Sequence, residues 1–371
     1  MIKRILVTGG AGFIGSHLVD SLVKSGHVVK ILDNLEPQVH SKIPDYLNKD
    51  AQFIHGDIRN DDDVKKALKG IDIVFHLAAM VGVGQSMYQI QKYTEVNTQA
   101  TAKLLEIIVN GAYSIEKLLV ASSMSIYGEG AYKCDSCGIV YPKLRSEPQL
   151  AAKDWEMKCP VCDKNVEPIS TNEDKPLYPT SIYAINKRDQ EEMCLSIGRA
   201  HNIPTVALRY FNTYGTRQSL SNPYTGVAAI FLSRIKNNKP PMIFEDGLQA
   251  RDFISVHDIV QANILAMEKP EANYEAFNVG TGKSVTILQI SNILNKLCGK
   301  DLDPQILDKY RTGDIRHCYA DITKIKSKLG FEPKMELEEG MKMLIKWSET
   351  TTADDKTQQA QDELTLKKLI K

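Results

Sequence analysis

Short apolar runs alternate with longer amphipathic stretches along the first part of the chain. The apolar runs lie at residues 5–7, 28–32, 71–75 and 118–121. Repeated strand–helix–strand units produce this alternation, because parallel strands are covered by helices on both faces. The pattern therefore predicts an α/β fold built on a doubly wound parallel sheet.

The charges of the chain balance, with 46 Lys and Arg residues against 46 Asp and Glu residues among 371. No charge excess attracts the chain to nucleic acid or to an anionic membrane, so small molecules are the expected partners. No run of about eighteen apolar residues occurs, and the N-terminus enters the first strand pattern directly. These features predict a cytoplasmic protein with no membrane contact.

A glycine-rich turn, TGGAGFIG at residues 8–15, follows the first apolar run. Its glycines let the backbone approach a pyrophosphate at the N-terminus of the next helix, although a glycine triplet alone is a weak signal. Asp33 ends the following strand, where its carboxylate favours NAD by accepting hydrogen bonds from ribose hydroxyls and would repel a 2′-phosphate. The alternative interpretation of these residues is a tight turn beside a solvated carboxylate, with no bound cofactor. The predicted NAD contacts here are Gly9, Gly12, Phe13, Ile14, Gly15, Asp33 and Asn34.

The spacing of these glycines resembles that of the extended short-chain dehydrogenase/reductase family, and further segments match the family in the same order. GDIR at residues 56–59 resembles its adenine-contacting turn, and HLAA at 76–79 resembles the strand beside the nicotinamide ribose. Taken singly, such residues are usually turns or core positions. The resemblance implies NAD contacts by Asp57, Ile58, Leu77, Ala78, Ala79 and Asn97.

Two segments carry the predicted chemistry, SSMSIYG at residues 122–128 and YAINK at 183–187. Tyr183 and Lys187 share one helix face, so the ammonium is expected to lower the phenol pKa from about 10 and to lie near the nicotinamide ribose. The tyrosinate would then accept a hydroxyl proton. This spacing is common on surface helices and gains weight only from the segments upstream. Ser123 matches the family's catalytic serine and is expected to hold the same sugar oxygen.

Acidic residues that some members of the family need for catalysis are absent from this chain, which excludes two of the family's reactions from the prediction. The family's 4,6-dehydratases carry an Asp-Glu pair before a Val-Tyr-Gly, and its decarboxylases carry a Glu there, whereas Met124 and Ser125 occupy this region. The resemblance then implies an NAD-dependent nucleotide-sugar 4-epimerase. In that reaction Tyr183 removes the C4 hydroxyl proton, a transient 4-keto sugar forms, and hydride returns to its other face.

The C-terminal half resembles the family's substrate-binding lobe. Asn212 and Asn222 lie in the segments RYFNTYG and NPYTGV, which match a substrate-contacting loop and a nucleotide-gripping segment. Arg251 and Arg311 match residues that hold the diphosphate, for which a planar guanidinium is suited. Asp314 is placed for a ribose. A local ion pair and a solvated surface charge are the alternatives for the two arginines.

These motifs predict how the chain divides into domains. The polar tail has no aromatic residue and is expected to be a frayed helix or disordered. The predicted units are a Rossmann domain at 1–130 and 172–215 with 254–280 returning to it, an insertion at 131–171, a nucleotide-sugar-binding domain at 216–350, and the tail at 351–371.

The insertion contains two Cys-x-x-Cys knuckles, at Cys134 and Cys137 and at Cys159 and Cys162. In a reducing compartment, paired knuckles at this spacing favour a zinc ribbon over disulfides. A redox dithiol would need only one knuckle at a helix start. Four thiolates leave zinc no open position, so the predicted metal is structural. Because the insertion lies between the serine strand and the tyrosine helix, it is expected to shape or cover the sugar end of the site.

The sharpest substrate prediction is dTDP-L-rhamnose, because a resembling subgroup of 4-epimerases that acts on this sugar carries a similar cysteine insertion. A UDP-hexose 4-epimerase and a net NAD-dependent oxidoreductase stay open as alternatives. An NAD sensor whose ribbon contacts nucleic acid is a third, although the balanced charge and the intact catalytic residues argue against it. The family resemblance also implies a homodimer.

Overall fold

The computed structural model describes residues 1–40 and 42–371. Its strands are β1 Arg4–Thr8, β2 Val28–Asp33, β3 Gln52–His55, β4 Ile73–His76, β5 Lys117–Ser123, β6 Ala131–Cys134, β7 Gly138–Val140, β8 Glu167–Ile169, β9 Thr205–Tyr210, β10 Asn212–Tyr214, β11 Met242–Ile243, β12 Ala250–Arg251, β13 Phe253–Ser255, β14 Glu275–Val279, β15 Val285–Thr286, β16 Gln305–Ile306 and β17 His317–Cys318. Its α-helices are α1 Phe13–Lys24, α2 Asp61–Leu68, α3 Val83–Ser86, α4 Ile90–Thr94, α5 Ala100–Asn110, α6 Glu147–Ala151, α7 Ile182–Ala200, α8 Val227–Lys236, α9 Val256–Glu268, α10 Ile287–Leu297, α11 Thr323–Leu329, α12 Leu337–Ser348 and α13 Thr357–Leu366.

The main sheet has seven parallel strands in the order β14-β9-β5-β4-β1-β2-β3. Alternate residues of β1 face two different cores, with Ile5 and Val7 in one and Leu6 in the other. The sheet is therefore buried on both faces, as its near-continuous apolar strands require. The predicted doubly wound parallel sheet is confirmed. Strand order reverses between β1 and β4, the point at which such sheets bind ligands.

Helices cover both faces of this sheet. One core joins it to α1 and α9, and the other joins it to α2, α5 and α7. Both α9 and β14 come from within the segment 254–280, so this part of the chain packs with the N-terminal strands. Among the described residues, no helix has both the length and the apolar character needed to cross a bilayer.

The second lobe is built around α8, α10 and α12, whose apolar faces share a core that includes Phe231, Leu294 and Leu344. A small sheet lies beside it, in which β12 pairs antiparallel with β15 and parallel with β17. This sheet brings Arg251 next to the segment that carries residues 311–318.

The insertion forms a separate three-stranded antiparallel sheet of β7, β6 and β8. Its small core contains Tyr132, Met157 and Val166 together with the cysteines. The two ends of the insertion lie together, because the Ala131 backbone N–H donates to the Thr171 hydroxyl oxygen at 3.0 Å. The chain therefore leaves the Rossmann unit and returns to it at the same place.

The C-terminal tail is ordered, unlike the frayed or disordered segment predicted from its composition. Helix α13 buries Ala360 and Leu364. Its Glu363 carboxylate accepts hydrogen bonds from Tyr88 and Tyr224. Two buried apolar side chains and one half-buried carboxylate thus hold a segment whose overall polarity suggested disorder.

Candidate active site

A cavity of about 470 Å³ opens at the carboxyl ends of the sheet strands and extends to the second lobe. Residues of both lobes line it. The predicted residues that the structure brings together around it are Gly9, Gly12, Phe13, Ile14, Gly15, Asp33, Asn34, Ile58, Leu77, Ala78, Ala79, Ser123, Tyr183, Lys187, Asn212 and Asn222.

The glycines of the turn before α1 stand at positions where a side chain would not fit. Gly9 has a φ of +70°, and a Cβ there would meet the Ala78 backbone N at 2.8 Å. A Cβ on Gly15 would lie 2.2 Å from the Gly9 carbonyl oxygen. The start of α1 therefore faces the cavity with exposed backbone N–H groups, which fit a pyrophosphate.

Asp33 is fixed at the edge of this turn. Its two carboxylate oxygens accept from the backbone N–H of Ala11 at 3.0 Å and of Leu35 at 2.9 Å. Each oxygen keeps a lone pair for a further donor. Among the described lining residues only Lys187 is a Lys or Arg, and it lies against the Ala121 carbonyl, so the lining offers no lysine or arginine beside Asp33 to neutralise a 2′-phosphate. The side chains present therefore fit NAD better than NADP.

The turn after β3 is held by a charged pair. Asn34 donates to Asp57 at 2.9 Å, and the Arg59 guanidinium donates to the same carboxylate at 2.7 and 2.9 Å. Hydrogen bonding to Arg59 lowers the pKa of Asp57 to about 2 despite its partial burial. Asp57 does not line the cavity, whereas its neighbour Ile58 does. In this structure Asp57 orders the turn and Ile58 forms the wall.

Asn97 acts on the cavity through the backbone. It lies in a π-helical turn, Glu95–Gln99, a feature often found at functional sites. Its side-chain amide bonds both the N–H and the carbonyl of Met80, at 2.8 and 3.1 Å. Asn97 thereby fixes the loop after β4, which lines the cavity through Leu77, Ala78 and Ala79. Asn97 itself is fully buried.

The serine strand and the tyrosine helix meet in the same cavity. Ser181 caps α7 by accepting from the Ala184 backbone N–H at 3.1 Å, and the Tyr183 backbone N–H donates to Ser86 at 3.0 Å. These two contacts fix the first turn of the helix. Ser123 lies at the end of β5, within hydrogen-bonding reach of the Tyr183 phenol.

Burial dominates the electrostatics of this group. Burial raises the pKa of Tyr183, and the hydrogen bond with Ser123 opposes the rise. The Lys187 ammonium donates to the Ala121 carbonyl at 2.8 Å, and the lowering of this phenol's pKa by Lys187 stays a prediction. Burial also lowers the pKa of Lys187 to about 8.

Arg251, Arg311 and Asp314 form a cluster of their own outside the cavity lining. Both guanidiniums bond the Asp314 carboxylate, at 3.3 Å from Arg251 and 2.6 Å from Arg311. Burial raises the pKa of Asp314, but the two arginines outweigh it and hold the pKa below its usual value. Arg251 also donates to three carbonyl oxygens of the small sheet. In this structure, then, the three side chains satisfy one another.

Two residues near the reacting group were missed by sequence analysis. The Ser125 hydroxyl donates to the Ser123 oxygen at 2.9 Å and lines the cavity. Tyr224 lines the opposite wall. Both lie inside motifs that were recognised, but only their neighbours were assigned roles. The repeated serines of SSMS were the available signal for Ser125.

The four predicted cysteines lie together. Their sulfur atoms are all within 4.8 Å of one another, and those of Cys134 and Cys162 are 3.6 Å apart. Zinc with four thiolates at about 2.3 Å holds its sulfurs about 3.8 Å apart in a tetrahedron. Gly138, at a φ of +76°, closes the turn after the first knuckle. The donor set and its dimensions therefore fit tetrahedral zinc.

The insertion packs against the second lobe through a buried charge network. Arg145 donates to both oxygens of Glu245, at 2.8 and 2.9 Å. Arg316, which is fully buried, bonds Glu245, Asp246 and Glu156. Arg145 and Glu156 belong to the insertion and the other three residues to the second lobe. The network therefore holds the insertion against the segment that carries Arg316.

The prediction that the insertion covers the sugar end of the site is wrong for this structure. Among the described residues, none between 129 and 172 lines the cavity. The reason is that the base of the insertion is bonded to the segment around β17: the Gly130 N–H donates to the His317 carbonyl at 2.9 Å, and the Thr171 N–H to the Tyr319 carbonyl at 2.8 Å. The insertion thus braces the second lobe instead of closing the cavity.

Comparisons with known proteins agree with this geometry. A family model described as the NAD-dependent epimerase/dehydratase family matches residues 5–145 and 159–280, and the gap between them lies in the insertion. The chain is 33% identical over 349 residues to a dTDP-L-rhamnose 4-epimerase of Burkholderia thailandensis, covering 93% of this chain and 94% of the relative.

Two solved structures share the fold over nearly their whole length. A UDP-glucose 4-epimerase of Thermotoga maritima with UDP-glucose has a TM-score of 0.77 and 33% identity, over 94% of this chain and 99% of that one. A UDP-glucuronic acid 4-epimerase of Bacillus cereus with UDP-glucuronic acid and NAD has a TM-score of 0.77 and 29% identity, over the same shares. The chain belongs to the NAD-dependent epimerase/dehydratase family.

Proposed function

We propose that the protein is an NAD-dependent nucleotide-sugar 4-epimerase and that its substrate is dTDP-L-rhamnose. The observation that carries the proposal is one cavity lined by the glycine turn, by Ser123, Tyr183 and Lys187, and by Asn222 of the second lobe. A site that only bound NAD would not need Ser123 at the end of β5 together with Tyr183 of α7. The pair supports chemistry at a hydroxyl-bearing carbon.

NAD, when bound, supplies the acceptor and donor of hydride for the sugar C4. Tyr183 takes the C4 hydroxyl proton and later returns it, and Ser123 holds the same oxygen in line. Ser125 orients Ser123 through its 2.9 Å hydrogen bond. Lys187 supplies a positive charge at the wall nearest the predicted ribose position. These roles deprotonate a carbinol without the extra acids that elimination would require.

The sugar and base are the finer part of the proposal. The Burkholderia relative supports dTDP-L-rhamnose, whereas the Thermotoga complex supports UDP-glucose as the second candidate. The four-cysteine insertion favours the first, as the resembling subgroup carries one. Incubation with dTDP-, UDP- and GDP-sugars without added reductant, followed by NMR of the recovered nucleotide sugar, tests the choice. Conversion of dTDP-L-rhamnose to its C4 epimer is expected; inertness beside a reactive UDP-hexose would replace it.

We further propose that Cys134, Cys137, Cys159 and Cys162 hold one structural zinc per chain. The core of the insertion contains few apolar residues, and small modules with such a core are stabilised by a bound metal. The proposed role is to keep Arg145 and Glu156 at the second lobe. Metal analysis of reduced, purified protein is expected to find one zinc per chain. No zinc, or a disulfide among these cysteines, would refute it.

A homodimer is also proposed from the family resemblance. Light scattering of the purified protein at several concentrations measures the mass directly. Twice the chain mass of 41.5 kDa is expected, and a mass equal to that of one chain at every concentration would refute it.

A further inference from the structure

Three oxygen atoms from distant parts of the chain meet beside the cavity. The phenol oxygens of Tyr88 and Tyr224 are 2.7 Å apart, and each lies within hydrogen-bond distance of one carboxylate oxygen of Glu363, at 2.9 and 2.8 Å. Tyr88 follows α3, Tyr224 belongs to the second lobe, and Glu363 lies in α13. The C-terminal helix therefore joins the two walls of the opening.

Tyr224 belongs to the wall that the substrate is proposed to contact. It lines the cavity, and its backbone N–H donates to the Asn222 side chain at 3.0 Å. The same Asn222 oxygen accepts from Gln38 at 3.1 Å. Gly82 lies directly against Tyr224, since an added Cβ there would lie 3.0 Å from the Tyr224 Cβ. Movement of Tyr224 would therefore change the shape of this wall.

Helix α13 is itself held near its C-terminal end. Leu364 packs against Gly84, where an added Cβ would lie 3.3 Å from a Leu364 methyl group. Beyond the helix, Tyr310 and Lys371 exchange two backbone hydrogen bonds of 3.1 Å, and Arg311 bridges to Ile370. The tail thus joins the Rossmann unit to the 310–312 segment of the second lobe.

The carboxylate suits this junction better than a neutral group would. Hydrogen bonding from Tyr224, and then from Tyr88, holds the pKa of Glu363 below its usual value. An ionised carboxylate only accepts, so both phenols are able to donate to it at once. Both phenols donate to the same carboxylate oxygen, so a carboxamide with its oxygen there still accepts from both, but without the negative charge that strengthens the two hydrogen bonds.

We propose that Glu363 is a positioning residue for nucleotide-sugar binding, acting through Tyr224, and that the C-terminal helix supports this wall of the substrate site. The inference rests on the proposed function, since it concerns the wall assigned to that substrate. It predicts an effect on affinity for the nucleotide part and little effect on the chemical step, because neither Glu363 nor Tyr88 lines the cavity.

The test compares Glu363→Gln with Asp362→Asn, the same change one residue earlier on α13. Asp362 is exposed, and among the described residues it accepts only from Gln358 of its own helix. Glu363→Gln is expected to raise the KM for dTDP-L-rhamnose about tenfold, the scale of one lost charged hydrogen bond, and to leave kcat within about twofold. Asp362→Asn is expected to match wild type. NAD affinity and melting temperature serve as checks on folding.

Calorimetric titration with dTDP and with UDP gives a readout that needs no turnover. Glu363→Gln is expected to lower the affinity for whichever nucleotide wild type binds, by a factor similar to the change in KM. Tyr88→Phe should reproduce part of the effect, and the double variant should lose less than the sum of the two single losses, because both changes affect the Tyr88–Glu363 contact.

Three results would each overturn the positioning role without affecting the proposed function. They are wild-type affinity in Glu363→Gln, additive losses in the double variant, and an equal loss of affinity in Asp362→Asn. If wild type binds neither nucleotide, the proposed function fails as well.

Discussion

Removal of Glu245 tests whether the buried charges, and not only the metal, hold the insertion in place. Its carboxylate receives two hydrogen bonds from Arg145 and one, at 3.0 Å, from Arg316. The three side chains are at most 3% exposed. In Glu245→Ala, Arg145 keeps a single partner, the Trp155 carbonyl at 2.9 Å, and its Nε has none among the described residues.

The expected cost follows from this burial. Removing one partner of a buried ion pair leaves an uncompensated charge and costs about 3–5 kcal/mol. An exposed pair would contribute about 0–1 kcal/mol. Because the Arg145–Glu245 pair is buried, we expect the larger loss of stability. Arg316 adds less to the loss, because Asp246 and Glu156 still bond its guanidinium.

Urea unfolding followed by Trp155 fluorescence measures this cost locally. The chain has two tryptophans, so Trp347→Phe serves as the background in which Trp155 alone reports. Zinc and NAD are kept saturating, so that ligand loss does not contribute. Glu106→Ala, an exposed helical position, is the control and should lie within about 0.5 kcal/mol of the background. A loss below about 1 kcal/mol in Glu245→Ala would refute the reasoning.

The other predictions concern catalysis, metal and acid stability. Tyr183→Phe keeps the ring and removes the ionisable oxygen, so turnover should fall by at least about 10²-fold with NAD affinity unchanged; a loss within a few-fold would remove Tyr183 as the base. Cys159→Ser should lose zinc and speed hydrogen exchange in the insertion while NAD still binds. His317 and Arg316 lower the pKa of Glu156 to about 2, so this ion pair stabilises fully above pH 4.5 and its contribution is lost as pH falls towards 2. The Trp155 difference between wild type and Glu156→Gln should disappear over that window; a constant difference would contradict the pairing.

Local sequence signals predicted the parts of the site that depend on backbone shape. The glycine turn and the parallel sheet follow from close packing and from apolar runs, which any doubly wound fold must show. The cysteine cluster follows from its spacing. Such features can be recognised without knowing what packs against them.

Features that depend on distant partners were not predictable. The orientation of the insertion is set by Arg316, which nothing near residue 316 in the sequence marks as buried. The Lys187 ammonium lies against the Ala121 carbonyl, a contact across two elements that helical spacing does not reveal. The order of the tail depends on Tyr88 and Tyr224, far from it in sequence.

The position of β14 has a consequence for folding during synthesis. β14 pairs with β9, yet helices α8 and α9 and the short strands β10 to β13 are translated between them. Until β14 emerges from the ribosome, the fully buried apolar strand β9 has a free edge, which invites pairing with other nascent chains. Fragments that end before residue 275 should therefore aggregate, and the nascent chain should depend on chaperones until this strand is made.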